Sequence, residues 1–210
     1  MKKKINIIGY SGHAYVCIEI ALLNDIIIGG YCDLNKKNKN PYELNYLGEE
    51  QNMNSEQEVF VCIADNIIRK KIYKSLPNLD FNINLIHPKS IISNTVDIGF
   101  QTLICAGAII NSQAKIGNGC IINTGSIIEH ECKIGDFSHI APGAVLSGNV
   151  LIGKGSFIGA NSVIKQGVKI GCNVTVGAGA VVINDILDNT KVVGNPSKTI
   201  WKINKNQLIH

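Results

Sequence analysis

A six-residue repeat in the second half of the chain constrains its fold more than any other feature. From Ile92 to Val182 an aliphatic residue recurs at every sixth position, sixteen times without a change of phase. The residue four places later is always small or β-branched, and glycine often follows the aliphatic residue, as at Gly117, Gly135 and Gly153. A period of six matches neither an amphipathic helix nor an alternating strand. It predicts a parallel β-helix of 18-residue coils about 4.8 Å apart, with the aliphatic residues inside and glycines supplying turn dihedrals.

The first 90 residues have a different pattern. Short apolar strands such as "KINIIGY" alternate with helical segments such as "NIIRKKIYKSL", which indicates a small parallel α/β domain of Rossmann-like type. The sequence therefore predicts three parts: a small α/β domain in residues 1–90, a β-helix in 91–187 and a C-terminal tail in 188–210.

Composition excludes several classes of protein. The seven cysteines are odd in number and form no C-x-x-C motif, which argues against a disulfide framework or a zinc site. The net charge of +4 is not gathered on one segment, so no nucleic-acid partner is expected. No stretch is apolar enough for a membrane span, and the apolar run before Gly9 is too short for a secretory signal. We expect a cytoplasmic protein.

The turn "GYSGHA" between the first strand and the first helix is a candidate phosphate site. Gly9 and Gly12 would let backbone N–H groups approach an anion at the helix N-terminus. Asp33 ends the second strand, where Rossmann-type sites bond a ribose hydroxyl. The complete G-x-G-x-x-G motif is absent, which disfavours NAD. An NAD site is thus a weak interpretation and a turn without a ligand is another, whereas a nucleotide diphosphate other than NAD is favoured.

The combination of both halves resembles a known family. A domain opening with "IIGYSGHAYVCIE", followed by a repeat containing "INTGSIIEHECKIGDFSHIAPGAVLSGNV", is similar to the bacterial sialic acid O-acetyltransferase-type sugar acyltransferases. The similarity runs over the whole chain and is greatest to the N-acetyltransferases of nucleotide-linked 4-amino sugars of the bacillosamine pathway type. It implies a left-handed β-helix, a homotrimer with active sites between subunits, acetyl-CoA as co-substrate and no metal. The implied acceptor is a nucleotide-linked 4-amino-4,6-dideoxy sugar, with UDP and a 2-acetamido group as the specific expectation.

The resemblance also implies site residues at matching positions. The catalytic pair is His130 and Glu131, with His130 as general base. The acetyl-CoA contacts are His139, Gly148, Ala160 and Ala178. The nucleotide-sugar contacts are Ser11, Gly12, His13, Asp33 and Ala64. Two positions depart from the family pattern: Leu34 replaces a second acidic residue, and Ala64 replaces a glycine.

The repeat register relates these residues in space. Gly148 follows His130 by 18 residues, so one coil should place them in neighbouring rungs about 4.8 Å apart. His139 follows His130 by nine residues and should face another side of the coil. If both histidines serve one site, a neighbouring subunit must supply one of them.

The chemistry suits these residue types, and other interpretations stay open. An amine must lose a proton to attack a thioester, and a histidine with an ordinary pKa of about 6.5 can accept it, especially beside a carboxylate. The N–H of Gly148 could stabilise the oxyanion. The alternatives are an O-acetyltransferase of sialic acid or a related sugar and a non-catalytic, trimeric nucleotide-sugar-binding scaffold. A zinc enzyme would need three converging histidines, whereas the repeat contains only His130 and His139. His130 could also be a plain turn residue.

Overall fold

The structure is a computed structural model that describes residues 3–53 and 58–202. Its N-terminal part is a three-stranded parallel sheet in the order β2-β1-β3, accompanied by helices. The elements are β1 (Lys4–Ile8), α1 (Gly12–Leu23), β2 (Ile27–Cys32), a 3₁₀ helix (Glu50–Asn52), β3 (Val59–Val61) and α2 (Asn66–Ser75). Because the strands are parallel, the segments that follow them meet at one edge of the sheet.

The two helices begin differently. The side chain of Asp65 caps α2 by accepting hydrogen bonds from the N–H groups of Ile67 and Ile68, both at 2.9 Å. Ser11 occupies the N-cap position of α1, and its side chain makes no capping hydrogen bond. The hydroxyl of Ser11 is therefore free to meet a ligand.

From Leu85 to Lys202 the chain winds into a three-faced parallel β-helix. Its first seventeen strands are two residues long and begin every six residues: β4 (Leu85–Ile86), β5 (Ile91–Ile92), β6 (Asp97–Ile98), β7 (Leu103–Ile104), β8 (Ile109–Ile110), β9 (Lys115–Ile116), β10 (Ile121–Ile122), β11 (Ile127–Ile128), β12 (Lys133–Ile134), β13 (His139–Ile140), β14 (Val145–Leu146), β15 (Leu151–Ile152), β16 (Phe157–Ile158), β17 (Val163–Ile164), β18 (Lys169–Ile170), β19 (Thr175–Val176) and β20 (Val181–Val182). Two longer strands follow: β21 (Thr190–Val193) and β22 (Lys198–Lys202).

The repeat has the role that its period predicts. The second residue of each two-residue strand points inward, and from Ile104 to Val182 these side chains form one buried core with the small residues four places later. Every strand pairs with the strand one coil away, for example Ile128 with Leu146. An α/β domain followed by a left-handed β-helix, the predicted fold class, is confirmed.

One expectation about glycine is wrong. The left-handed backbone position of each turn is not the glycine directly after the aliphatic residue. It is the third residue after the aliphatic residue, such as Gly119 after Ile116, with φ of 62°. The glycines after the aliphatic residues are required by packing instead. A Cβ on Gly117 would lie 2.6 Å from Oδ1 of Asp136, and one on Gly153 would lie 2.4 Å from the next coil. Neighbouring coils leave no room there for a side chain.

The three faces of the β-helix differ in what they present outward. The first face (β4, β7, β10, β13, β16, β19, β21 and β22) carries the α/β domain, because Leu103, Cys105 and Ile121 join the core of that domain. The third face (β6, β9, β12, β15 and β18) presents mostly charged residues such as Lys115 and Lys133. The second face (β5, β8, β11, β14, β17 and β20) presents an unbroken aliphatic row outward: Ile91, Ile109, Ile127, Val145, Val163 and Val181.

The boundaries at residues 90 and 187 stay predictions, because strands outside them also pair with the β-helix. Leu85–Ile86 pairs with β7, and Thr190–Val193 pairs with β19. All seven cysteines are free thiols. Neither helix of the described segments has the length and apolar character that crossing a membrane requires.

Candidate active site

His130 lies at the corner between the second and third faces, in the turn after β11. The N–H of Asn149 in the next coil donates to the carbonyl of His130 at 2.8 Å, so Gly148 lies directly over the imidazole ring. A Cβ on Gly148 would be 2.5 Å from Nε2 of His130. The ring therefore occupies the space that a side chain at position 148 would fill. The structure brings these two residues together as the register predicts, while their roles stay predictions.

Glu131 orients the ring of His130. It occupies the left-handed turn position, with φ of 61°, and its Oε2 lies 3.1 Å from Nδ1 of His130. If Nδ1 donates its proton to this carboxylate, Nε2 keeps a free lone pair beside Gly148. The two side chains are 50% and 63% exposed in the single chain. The corner thus holds an imidazole that is oriented but open to solvent.

The N–H of Gly148 is available as a donor at the same corner. The carbonyl of Gly148 accepts a hydrogen bond from the N–H of Gly167, but the N–H of Gly148 makes no hydrogen bond to any residue in the described part of the chain. An accepting lone pair and an unused N–H donor therefore lie side by side, which is the arrangement that acyl transfer requires.

His139 has the opposite surroundings. It points outward from β13 on the first face, but the α/β domain covers it, and it is only 6% exposed. Asn123 lies 3.1 Å from Nε2, and Nδ1 faces the backbone of Ala64 without a well-formed hydrogen bond among the described residues. The oxygen of the Asn123 amide already accepts from the N–H of Thr124, so its nitrogen donates to His139. His139 is therefore protonated on Nδ1 when neutral.

His13 lies near His139 across the junction between the two domains. Burial, followed by the charge of Arg69, lowers the pKa of His13 to about 4. Burial, followed by the charges of Arg69 and His13, lowers the pKa of His139 to about 4. Both imidazoles are consequently neutral at pH 7 and can exchange hydrogen bonds with uncharged sugar groups.

A cavity of about 840 Å³ opens beside His139, between the start of α2 and the outward side chains of the first face. Its lining residues from the α/β domain are Ala64, Asp65, Asn66, Ile67 and Lys70. Its lining residues from the β-helix and the C-terminal strand are His139, Gly155, Phe157, Asn173, Thr175, Asn189, Lys191 and Trp201. Strand pairing aligns His139, Phe157, Thr175 and Lys191 in one column. The column extends over three strand spacings, about 14 Å.

Comparison with known proteins places this arrangement in a family. Residues 4–76 match the PglD N-terminal domain, and residues 113–148, 131–166 and 149–184 match the bacterial transferase hexapeptide with six repeats. The acetyltransferase domain of PglB from Neisseria gonorrhoeae FA1090 is 33% identical, with a TM-score of 0.86 over 94% of this chain and 100% of that chain. The chain belongs to the PglD-type hexapeptide-repeat acetyltransferases. No curated protein sequence matches it significantly.

Two further solved structures carry ligands in their descriptions. The same PglB domain has also been solved in complex with acetyl coenzyme A, at 32% identity and a TM-score of 0.87, covering 95% of this chain and all of that chain. PerB from Caulobacter crescentus, in complex with CoA and GDP-perosamine, is 30% identical, with a TM-score of 0.87 over 96% of this chain and 99% of that chain. The sugar acyltransferase family that the sequence resembles is thereby confirmed.

In this PglD-type chain the predicted nucleotide-sugar residues gather at the carboxyl edge of the small sheet. A Cβ on Gly12 would have no atom within 4 Å, and Ser11 is exposed beside it. Asp33 supports the turn between β1 and α1. Its Oδ2 accepts from the N–H of Tyr10 at 3.0 Å, and its Oδ1 lies 2.8 Å from Nζ of Lys37. A ribose contact of Asp33 stays a prediction, since both oxygens already have partners.

Ala160 and Ala178 lie at a different corner from His130. They follow β16 and β19, at the corner between the first and second faces. The second face separates this corner from that of His130 and Gly148. One chain therefore does not bring all the predicted acetyl-CoA contacts together, and their role stays a prediction.

Sequence reasoning missed several residues of the cavity. Phe157 and Thr175 could have been found, because each is 18 residues beyond the previous member of the His139 column. Lys191 breaks that spacing, since the last coil is two residues shorter. Lys191 also lies over the ring of Trp201, with Nζ 5.0 Å from the ring centroid. No local pattern signals Asn66 or Lys70, because only the docking of the two domains brings them to the cavity.

Proposed function

We propose that this protein transfers the acetyl group of acetyl-CoA to the amino group of a nucleotide-linked amino sugar. The observation that carries the proposal is the His130 corner: an imidazole lying against Gly148, with Nδ1 held by Glu131 and an unused N–H beside it. The solved relatives support it, because PerB was solved with CoA and GDP-perosamine and the PglB domain with acetyl coenzyme A.

The reaction follows from this geometry. Nε2 of His130 accepts a proton from the sugar amine while the amine nitrogen attacks the thioester carbon. Glu131 stabilises the resulting imidazolium, and the N–H of Gly148 donates to the oxyanion of the tetrahedral intermediate. When the intermediate collapses, the C–S bond breaks, and the CoA thiolate takes the proton back from His130. The products are the amide and CoA–SH, so every proton is accounted for.

The acceptor fits the junction between the domains. The turn at Ser11–His13 offers N–H groups of a helix N-terminus to a diphosphate. The cavity beside His139 offers the neutral imidazole of His139 together with the cations of Lys70 and Lys191, and the neutral imidazole of His13 lies near His139. Phe157 and Ile67 give it apolar surface for the methyl group of a 6-deoxy sugar. We propose UDP as the nucleotide and a cytoplasmic site of action, where acetyl-CoA and nucleotide sugars occur.

The second face supports a homotrimer. Its six outward aliphatic side chains form a continuous apolar strip that a single chain leaves partly or fully exposed, with Ile91 at 65% and Val163 at 38%. Such strips mark protein interfaces, and a second copy of the chain offers the same flat surface. The strip is bordered by the corner of His130 on one side and that of Ala160 on the other. Packing three β-helices side by side would bring the His130 corner of one chain against the His139 side of the next.

A panel of substrates tests the function. Radiolabelled acetyl-CoA is offered with UDP-, GDP- and dTDP-linked 4-amino-4,6-dideoxy sugars, with GDP-perosamine and with sialic acid. We expect alkali-stable amide label on an amino sugar, fastest with the UDP-linked 2-acetamido compound. Alkali-labile ester label on sialic acid would identify an O-acetyltransferase instead. Binding of the nucleotide sugars without any transfer would identify a scaffold.

Mixed trimers test whether the site is shared. His130→Ala and His13→Ala chains, each of low activity alone, are unfolded together and refolded as mixtures. If His130 of one chain acts on a sugar held by the α/β domain of its neighbour, a mixed trimer contains some intact sites. Such a site forms where a His13→Ala chain supplies His130 and a His130→Ala chain supplies His13. An equimolar mixture should then recover up to about a quarter of the activity of the unmodified protein. If the mixture recovers no activity, each chain contains a complete site.

A further inference from the structure

Arg69 is the only arginine of the chain and is almost completely buried, at 3% exposure. All five N–H groups of its guanidinium have acceptors. Nε donates to the carbonyl of Gly119 at 2.8 Å, and Nη1 donates to Ile63 and Ala64, both at 2.9 Å. Nη2 donates to Oδ1 of Asn66 at 2.8 Å and to the carbonyl of Phe137 at 3.3 Å. None of these acceptors is a carboxylate, so the side chain is not there to form an ion pair.

The acceptors belong to both domains. Ile63 and Ala64 lie between β3 and α2, and Asn66 is the first residue of α2. Gly119 and Phe137 lie in turns of two successive coils. Only a planar group with donors along several edges reaches all of them. A lysine carries three N–H groups on one atom and cannot. The nineteen other basic residues of the chain are all lysine.

The segment that Arg69 holds is one wall of the cavity beside His139. Ala64 and Asn66 line it, and Nδ2 of Asn66 donates to the carbonyls of Gly155 and Ser156 at 3.2 Å each. Arg69 orients Asn66 through its Oδ1, so the two side chains together fix the distance between this wall and the first face. A cavity built from two domains keeps its width only if the domains keep their separation.

We propose that Arg69 is a positioning residue that fixes the Ala64–Asn66 wall to the β-helix and so places the bound nucleotide sugar for reaction. The inference rests on the proposed function, since it concerns the acceptor side of that reaction. Arg69 touches neither the His130 corner nor the corner of Ala160. The resemblance implies His139 as an acetyl-CoA contact, but His139 lines this cavity, and we assign it here to the nucleotide sugar. With that assignment, loss of the Arg69 contacts should affect binding of the nucleotide sugar and leave acetyl-CoA binding alone.

Gln101 provides a matched control for a merely structural role. It also joins the domains and is buried, at 4% exposure. Its Nε2 donates to the carbonyls of Val59 and Phe81 at 2.7 and 3.1 Å, and its Oε1 accepts from the N–H of Val61 at 3.0 Å. The contacts to Val59 and Val61 lie on β3 and that to Phe81 lies between α2 and β4, so none is to the Ala64–Asn66 wall. Gln101 has φ of 57°, so Gln101→Asn shortens the side chain with a residue that tolerates this backbone conformation.

The experiment compares Arg69→Lys with Gln101→Asn by Tm, kcat and the KM of each substrate. The acceptor is the UDP-linked 2-acetamido-4-amino sugar or, if turnover is faster, GDP-perosamine. Both variants should melt at a lower temperature. Arg69→Lys should raise the nucleotide-sugar KM about tenfold or more, as displaced binding groups do, with the acetyl-CoA KM within about twofold. Gln101→Asn should leave both KM values within about twofold.

Equal changes of the nucleotide-sugar KM in both variants, or none in Arg69→Lys, would overturn the inference. If Arg69→Lys does not fold, Asn66→Ala decides. It removes the contacts to Gly155 and Ser156 without leaving a buried charge, and it should raise the same KM. Calorimetric binding of the same sugar to each variant repeats the comparison without turnover. Failure of the proposed function would appear differently, as sugar binding to the unmodified protein without acetyl transfer.

Discussion

His130 and His139 lie only nine residues apart and occupy opposite environments. His130 stands half-exposed at a corner, with a carboxylate on one ring nitrogen and a glycine against the other. His139 is buried under the α/β domain, has an amide partner, and has its pKa lowered to about 4. Half a turn of the β-helix produces this difference, because it moves a residue from an open corner to the one face that another domain covers.

The two environments suit the two histidine side chains to different chemical roles. A base must change its charge during the reaction, so it needs a carboxylate and room to move, which His130 has. A buried histidine whose pKa is depressed resists protonation and is suited to hydrogen bonding as a neutral group, which describes His139. The exposed corner still needs water to be excluded, and the apolar second face beside it offers a surface for a second chain to do so.

Removal of each imidazole in turn should lower activity more at the corner of His130 than at the buried position of His139. His130→Ala should lower kcat by about 10²- to 10⁴-fold, the usual contribution of a general base. Its Tm should change little, because the side chain is half-exposed. Steady-state kinetics and thermal unfolding measure both quantities. Lys133→Ala, on the exposed third face, is the control and should retain full activity. A His130→Ala enzyme with near-normal kcat would remove His130 as the base.

Gly148→Ala disturbs the surroundings of His130 without changing an ionisable group. The new methyl group would lie 2.5 Å from Nε2 and 2.6 Å from Cε1 of His130, so the ring must turn away. We expect kcat to fall by roughly 10²-fold, since a displacement of about 1 Å has that effect on an aligned catalytic group. Folding should survive, because the open corner leaves the ring room to move. Ser147→Ala is the neighbouring control. Unchanged kcat in Gly148→Ala would show that the contact between ring and glycine has no part in catalysis.

The sequence predicts the corner well and the junction poorly, for a physical reason. One rule, eighteen residues per coil, places Gly148 on His130 and separates His139 from both, because every coil repeats the same backbone path. The junction depends on how an unrelated domain docks on the first face, which no periodicity encodes. Arg69 and Asn66 therefore have no signal in the sequence. The role of glycine was also misjudged, since the period shows where glycines recur but not whether a dihedral or a close neighbour requires them.

The smallest expected effect concerns His139 and the dependence of protein stability on pH. The pKa of His139 is about 4 in the folded protein against an ordinary 6.5, so the unfolded chain binds a proton first as the pH falls. The stabilisation is thus complete above pH 6.5 and is lost as the pH falls toward 4, by about 2 kcal/mol at pH 5. Arg69 on α2 and His13 on α1 are the groups that face His139 and oppose its protonation.

His139→Asn removes this titration and should flatten the pH dependence. Urea unfolding at pH 7 and pH 5, at one protein concentration, should show the variant losing about 2 kcal/mol less than the unmodified protein. Ser147→Ala, which changes no ionisable group, is the control and should keep the pH dependence of stability of the unmodified protein. If the free energy of unfolding falls equally between pH 7 and pH 5 in all three proteins, His139 titrates like an exposed histidine. The α/β domain would then not seal the junction, and the contrast between the two histidines would reduce to their position along the coil.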